Sequence, residues 1–270
     1  MEIKAFAKRV LLSETLEEKL KNIDLPITDE SPGSALIVDE PGRPDDLKFA
    51  APRKAPAMPK PSSFQEAHCL ATAHHIMANH ELQALEIMAR VLLAFPETPT
   101  EFRQGMISIM HDEQRHTQLH ANISATLGIP FGQLPVNCYI WKKSSVFENI
   151  LDYLACLPLL FEGCNLDHTL EFENYFSDVD ATQSAKIMRT IHNDEIRHVA
   201  FGWHWLNELK PPELSMWDAW VSHLKWPLRP SKAAGDNFNL QPRLEAGMTR
   251  EFIERLQQAI ENDEEIGPQT

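Results

Sequence analysis

The sequence predicts an all-α protein built around a four-helix bundle. The first observation is that Asp-Glu-x-Arg-His occurs twice in strongly helical sequence, within residues 111–116 and 192–198. The second is that a single glutamate precedes each copy at a similar distance, since Glu81 lies 32 residues before Glu113 and Glu162 lies 33 residues before Glu195. The third is that prolines and glycines separate the helical stretches.

The repeated tetrad predicts metal binding. On a helix, residues i and i+3 lie on one face, so Glu113 with His116, and Glu195 with His198, can each bind one metal ion. A single Glu-x-x-His is weak evidence in a chain with 39 acidic residues and 12 histidines. Two copies with Asp and Arg at matched positions make a chance origin much harder to accept.

Helical hairpin geometry relates the two single glutamates to the tetrads. Two antiparallel helices of roughly 20–25 residues with a short turn bring residues about 30–35 apart to the same height. Glu81 and Glu162 stand at that separation from Glu113 and Glu195. Glu162 also follows the apolar run 157–161, where a carboxylate is costly to bury unless it is paired or bound to metal.

The elements fall into three predicted segments. Residues 1–62 form an N-terminal helix, to about residue 22, and a Pro-rich arm laid against the rest; 63–210 form the bundle; 211–270 form a helical extension. The bundle helices are predicted at about 63–94, 100–127, 145–176 and 181–209, and tail helices at 213–226 and 243–264. Thr100 is expected to cap the second bundle helix and Gly128 to end it. Pro158 either distorts the third helix before Glu162 or is simply tolerated.

Composition excludes several classes of protein. The net charge of −14 argues against nucleic acid as a partner. There is no run of eighteen apolar residues and no signal-like N-terminus, so we expect no membrane span and a cytoplasmic location. The cysteines lack C-x-x-C pairing and are expected to be mostly buried thiols in a reducing compartment; they are Cys69, Cys138, Cys156 and Cys164.

The motif pattern resembles the ferritin-like di-iron carboxylate superfamily. The stretch Pro41-Gly42-Arg43-Pro44, the segment 81–86 and both tetrads are most similar to the uncharacterised ferritin-like family known as domain of unknown function 455, over roughly residues 40–210. The resemblance implies a ferritin-like four-helix bundle with an extended N-terminal arm, additional C-terminal helices and two Fe ions, or Mn and Fe. The implied ligands are Glu81, Glu113, His116, Glu162, Glu195 and His198. That family carries a histidine two residues before the first glutamate; here Asn79 takes that place and His80 is adjacent, which leaves the role of His80 open.

Further roles follow for residues near the ligands. Asp112 and Asp194 are suited to accept hydrogen bonds from ligand histidines, and the resemblance pairs Asp194 with His116 and Asp112 with His198. Arg115 and Arg197 either neutralise these acidic groups or form surface salt bridges. His192 is an additional candidate ligand, and His120 a weaker one, because each lies one turn from a tetrad residue. Glu86 is expected in an outer position or at the surface.

The ligand set suggests oxidative chemistry. Four carboxylates and two imidazoles suit Fe or Mn better than structural zinc, which favours thiolates. The leading hypothesis is a dinuclear oxidoreductase that activates O2 or peroxide, an oxygenase or oxidase acting on a small organic substrate. Alternatives are a ferroxidase or iron-handling protein, a tRNA-modifying di-iron hydroxylase, and a metal-stabilised scaffold without enzymatic activity. The electron donor and substrate are open, and so is the oligomeric state, for which a homodimer is one option.

Overall fold

The computed structural model describes residues 1–22 and 26–266, with side chains to residue 263; the last four residues of the predicted C-terminal extension lie outside this range. The all-α prediction is confirmed: within the described residues there are two isolated bridges and no strand. The chain divides into two compact units, unit 1 (1–145) and unit 2 (146–270). Over the described ranges, no helix is both long and apolar enough to cross a membrane.

Unit 1 is built on a long antiparallel hairpin. Its helices are α1 (Ile3–Leu12), α2 (Leu16–Leu20), α3 (Ala67–Ala94), α4 (Thr100–Thr126) and α5 (Tyr139–Ser144). Almost every residue of α3 from Leu70 onward is buried, so α3 is the centre of the unit. Ser124 donates to the Ala71 carbonyl across the hairpin at 2.9 Å, which sets the register of α4 against α3.

Several predicted helix boundaries in unit 1 need correction. The single helix predicted to residue 22 is two helices, because Thr15 caps α2 by accepting from the Glu18 amide. Helix α3 begins at Ala67, four residues later than predicted. Pro99, not Thr100, is the N-cap position of α4. The short helix α5 was not predicted.

The N-terminal arm lies along the α3–α4 hairpin. The Leu36 amide donates to the Leu93 carbonyl at 2.8 Å, and the Ala50 amide donates to the Val136 carbonyl at 2.9 Å. Asp29 forms a buried ion pair with Arg103 of α4 at 2.8 Å. Backbone and charge contacts therefore both fix the arm to the hairpin.

A buried charge cluster joins the arm to α3. The Arg43 guanidinium donates to both carboxylate oxygens of Glu86, and Lys19 Nζ lies 3.0 Å from Glu86 Oε1. Arg43 also donates to Asn79 Oδ1 at 3.0 Å. Glu86 and Lys19 are fully buried and Arg43 nearly so. The surface position considered for Glu86 is therefore wrong. Asn79 accepts a hydrogen bond from Arg43 and so helps to hold the arm against α3.

Unit 2 contains a second antiparallel hairpin. Its helices are α6 (Ile150–Cys156), α7 (Glu162–Ser177), α8 (Thr182–Leu209), α9 (Met216–Ser222), α10 (Leu240–Glu245) and α11 (Arg250–Ile266). Arg189 of α8 pairs with Glu173 of α7 at 2.7 Å, which sets the antiparallel register of this hairpin.

A π-helical turn interrupts the helix predicted at 145–176. Asn149 caps α6, and the π turn Leu157–Phe161 then separates α6 from α7. Pro158 lies at the start of this turn, where its ring leaves no amide to donate. Of the two interpretations of Pro158, the structure supports a local distortion of the helix. The distortion ends at Phe161, and Glu162 is the first residue of α7.

The C-terminal elements pack on unit 2 itself. Trp220 of α9 is fully buried and donates from Nε1 to the Ala155 carbonyl at 3.0 Å. Phe252 of α11 packs edge-on against Trp203 of α8, with centroids 4.9 Å apart. The tail helix predicted from residue 243 is two helices, because Gly247 turns the chain with a φ of +87°.

Candidate metal centre

The first ligand cluster lies on the α3–α4 hairpin and consists of Glu81, Glu113 and His116. One ligand atom from each lies within 4.8 Å of the others. Glu113 Oε1 is 3.7 Å from His116 Nδ1, as expected for i and i+3 on one helix face. Glu113 and His116 are buried, and Glu81 is the most exposed of the six predicted ligands at 9%.

The second ligand cluster lies on the α7–α8 hairpin and consists of Glu162, Glu195 and His198. Glu162 and His198 present ligand atoms within 4.8 Å of each other. Glu195 Oε2 is 3.7 Å from His198 Nδ1, which repeats the geometry of the first tetrad. All three side chains are buried. Each hairpin therefore brings its own predicted glutamate, glutamate and histidine together.

The aspartate and arginine of each tetrad pair with each other. Arg115 donates to Asp112 at 2.6 Å and Arg197 donates to Asp194 at 2.5 Å. The arginine side chains are 44% and 58% exposed, while the Asp194 side chain is 6% exposed. Both arginines thus form solvent-exposed ion pairs with the aspartate three residues earlier. The predicted hydrogen bonds from the ligand histidines to these aspartates stay predictions.

Asn165 is a site neighbour that sequence reasoning missed. It lies one turn after Glu162 on α7, and its Nδ2 donates to Glu195 Oε1 at 2.9 Å. This contact leaves Glu195 Oε2 as the oxygen beside His198. The spacing of three residues from Glu162 was the signal that could have identified it.

His192 is hydrogen-bonded through Nδ1 to Thr169 of α7, and its role as an additional ligand stays a prediction. Thr169 donates its hydroxyl proton to the Asn165 carbonyl at 2.6 Å, so it accepts from His192 Nδ1 at 2.8 Å. His192 belongs to neither ligand cluster among the described residues. Burial lowers the pKa of His192, which favours the neutral ring.

The cysteines do not contribute to either ligand cluster in the described chain. All four are free, but only Cys156 is buried and the others are partly exposed, so the expectation of mostly buried thiols is wrong. Although Cys164 is partly exposed, desolvation by the surrounding protein and the nearby Asp167 carboxylate raise its pKa to about 12, which keeps it a thiol beside His168. A separate exposed group, Glu66, His68 and Cys69, lies where α3 begins.

The donor set fits a pair of redox-active metal ions. Four carboxylates and two imidazoles are at most 9% exposed, and burying such acidic groups is costly without a cation. Oxygen-rich ligands with imidazole suit iron or manganese, whereas structural zinc favours thiolates. The residues present therefore match the metals that the resemblance implies.

One family model covers nearly the whole chain. The model described as "Protein of unknown function (DUF455)" matches residues 1–254. The chain belongs to the DUF455 family. The match is wider than the 40–210 expected from the motifs, so the DUF455 pattern includes the N-terminal helices, the arm and most of the tail. No curated protein and no solved structure matches the chain.

Proposed function

We propose that this protein is a dinuclear iron, or manganese and iron, oxidoreductase that activates O2 or peroxide. The observation that carries the proposal is the repetition of one buried cluster on two hairpins, each with a glutamate on one helix and a Glu-x-x-His on the other. A dinuclear carboxylate bundle requires this set. We further propose that all six side chains of the two clusters bind metal.

The side chains have separable tasks in this proposal. His116 and His198 each offer Nδ1 to metal, since that nitrogen lies beside the glutamate one turn earlier. Asn165 holds one oxygen of Glu195 and so restricts how that carboxylate binds. Burial of the ligands excludes bulk water. The bound ions would supply the electrons and open coordination positions that O2 or peroxide chemistry requires.

Metal content tests the proposal directly. The full-length protein, produced with iron and manganese both available, is compared with the Glu113→Ala/Glu195→Ala double variant by elemental analysis. A matched control, Glu101→Ala/Glu208→Ala, removes two exposed glutamates from the same helices, α4 and α8. We expect about two Fe or Mn per chain in the wild type and the control, and loss of metal in the double variant.

Oxygen consumption by the reduced, metal-loaded protein then tests the redox part. Uptake of O2 or peroxide that disappears in the double variant supports the oxidoreductase. Stoichiometric zinc, or no metal in any of the three proteins, would contradict it. Metal binding without any reaction toward O2 or peroxide would leave a metal-stabilised scaffold.

A further inference from the structure

The α3–α4 hairpin contains a buried histidine pair that the proposed ligand set does not use. His74 and His120 are fully buried, and their Nδ1 atoms are 2.8 Å apart. His120 Nε2 is buried and has no hydrogen-bond partner among the described residues, and it lies 3.9 Å from Glu81 Oε1. An imidazole nitrogen is therefore directed at a proposed metal ligand from just beyond hydrogen-bond distance.

The two Nδ1 atoms are 2.8 Å apart, so one of them donates to the other, and the ring that accepts at Nδ1 carries its own N–H on Nε2. If His74 donates, the proton of His120 is on Nε2 and points toward Glu81. This tautomer is favoured because a carboxylate oxygen accepts hydrogen bonds, whereas the other tautomer would direct a lone pair at it.

The second hairpin has no equivalent of this pair. His120 follows His116 by four residues, and the residue four after His198 is Gly202. A Cβ at Gly202 would lie 2.4 Å from Pro158 Cβ, so a histidine does not fit there. The π turn that precedes Glu162 therefore takes the space that an imidazole would need.

We propose that His120, oriented by His74, is a positioning residue whose Nε2–H, 3.9 Å from Glu81 Oε1 in the structure, forms a hydrogen bond to Glu81 when metal is bound and so makes the two metal positions unequal. This inference rests on the proposed function, because Glu81 matters as a metal ligand. Glu81 is the most exposed ligand, so it gains most from an added restraint. Loss of such an outer hydrogen bond lowers metal affinity about 10- to 100-fold.

Cobalt binding by the full-length protein tests the positioning role. Co²⁺ affinities are measured by chelator competition, and the visible absorption of bound Co²⁺ reports its ligand geometry. His120→Leu removes the N–H, and His120→Gln supplies an amide N–H in its place. His75→Leu is the control, because His75 is a buried α3 histidine whose Nε2 accepts from the Gly132 and Leu134 amides.

We expect the wild type to bind two Co²⁺ with different affinities. His120→Leu should weaken one of them about 10- to 100-fold and change its absorption, and His120→Gln should restore both properties. His75→Leu should lower thermal stability with both cobalt affinities unchanged. Two Co²⁺ in the wild type with unchanged affinities in His120→Leu would overturn the positioning role alone. A wild type that binds no Co²⁺ would overturn the metal site and the positioning role together.

Discussion

Glu86 is a buried anion held between two buried cations. Lys19 also donates to the Val10 carbonyl at 2.7 Å, so its ammonium is bonded to α1 as well as to Glu86. Arg43 contacts Glu86 through two nitrogens and stacks over Phe49. A buried ion pair need not stabilise the fold more than apolar residues of similar volume would. Removing only one partner, however, leaves an uncompensated buried charge and is strongly destabilising.

Glu86→Gln should be strongly destabilising. It leaves Lys19 and Arg43 buried without their anion, at a cost of about 3–5 kcal/mol. Lys19→Met keeps the Arg43–Glu86 pair and a similar side-chain volume, so it should cost much less. Urea unfolding measures both values. Equal losses of unfolding free energy in the two variants would show that the uncompensated cations are not the cause of the destabilisation.

Lys19 should also make stability depend on alkaline pH. Burial is the largest effect on Lys19 and lowers its pKa below 10.5, against the opposing effect of Glu86. Between the folded pKa and 10.5 the unfolded chain holds a proton that the folded chain lacks, so this contribution to stability rises with pH. The unfolding free energy of wild type relative to Lys19→Met should therefore increase as the pH rises toward 10.5. A flat difference would show that Lys19 keeps an ordinary pKa.

For individual residues, spacing along the helices is the informative signal. The six ligand candidates were identified from the i and i+3 pattern and from hairpin geometry, and each hairpin brings its three together. The contacts of Glu86 could not be predicted in this way, whereas the i and i+3 spacing of Glu162 and Asn165 does place Asn165 beside the ligands. The partners of Glu86 come from an irregular arm, whose path is not encoded by periodicity.

The π turn packs closely against α8. Pro158 Cβ would be 2.4 Å from a Cβ at Gly202, whereas the nearest atom to a Cβ at Gly163 is 3.8 Å away. The two glycines are both helical, in α8 and α7. They therefore form a matched pair for substitution.

Gly202→Ala and Gly163→Ala should have opposite effects on stability. The methyl group at 202 must displace Pro158, and such overpacking costs about 1–3 kcal/mol. The methyl group at 163 has room, so it should stabilise α7 by up to about 1 kcal/mol through helix propensity. Thermal unfolding measures both. Equal destabilisation by the two substitutions would mean that the close contact of Gly202 with Pro158 does not determine the loss of stability in Gly202→Ala.

Helix type was predicted better than helix boundaries. Long periodic segments such as α4 and α8 were located to within one or two residues. The split between α1 and α2 and the short helix α5 were missed, because a cap or a single turn leaves little pattern in the sequence. The distortion at Pro158 was foreseen only as one of two options, since proline alone does not specify a π turn.

Metal removal should lower the thermal stability of the protein. A ligand that binds only the folded state stabilises it by about 2.7 kcal/mol at 100 times its Kd. For a chain of this length that corresponds to roughly 5–10 °C in Tm. The comparison is between chelator-treated protein and the same sample reloaded with Fe²⁺ without oxygen. The Glu113→Ala/Glu195→Ala variant should show no gain on reloading, and an equal gain there would indicate binding elsewhere.

The buried Lys19–Glu86–Arg43 cluster also bears on the order in which the chain can mature during synthesis. Lys19 and Arg43 are synthesised before Glu86. Both side chains therefore stay hydrated until most of α3 has been made. A chain begun at residue 63 would have to bury Glu86 with neither cation available. We therefore expect the N-terminal segment to assist the folding of the hairpin, and shortened versions of the protein should begin no later than α1.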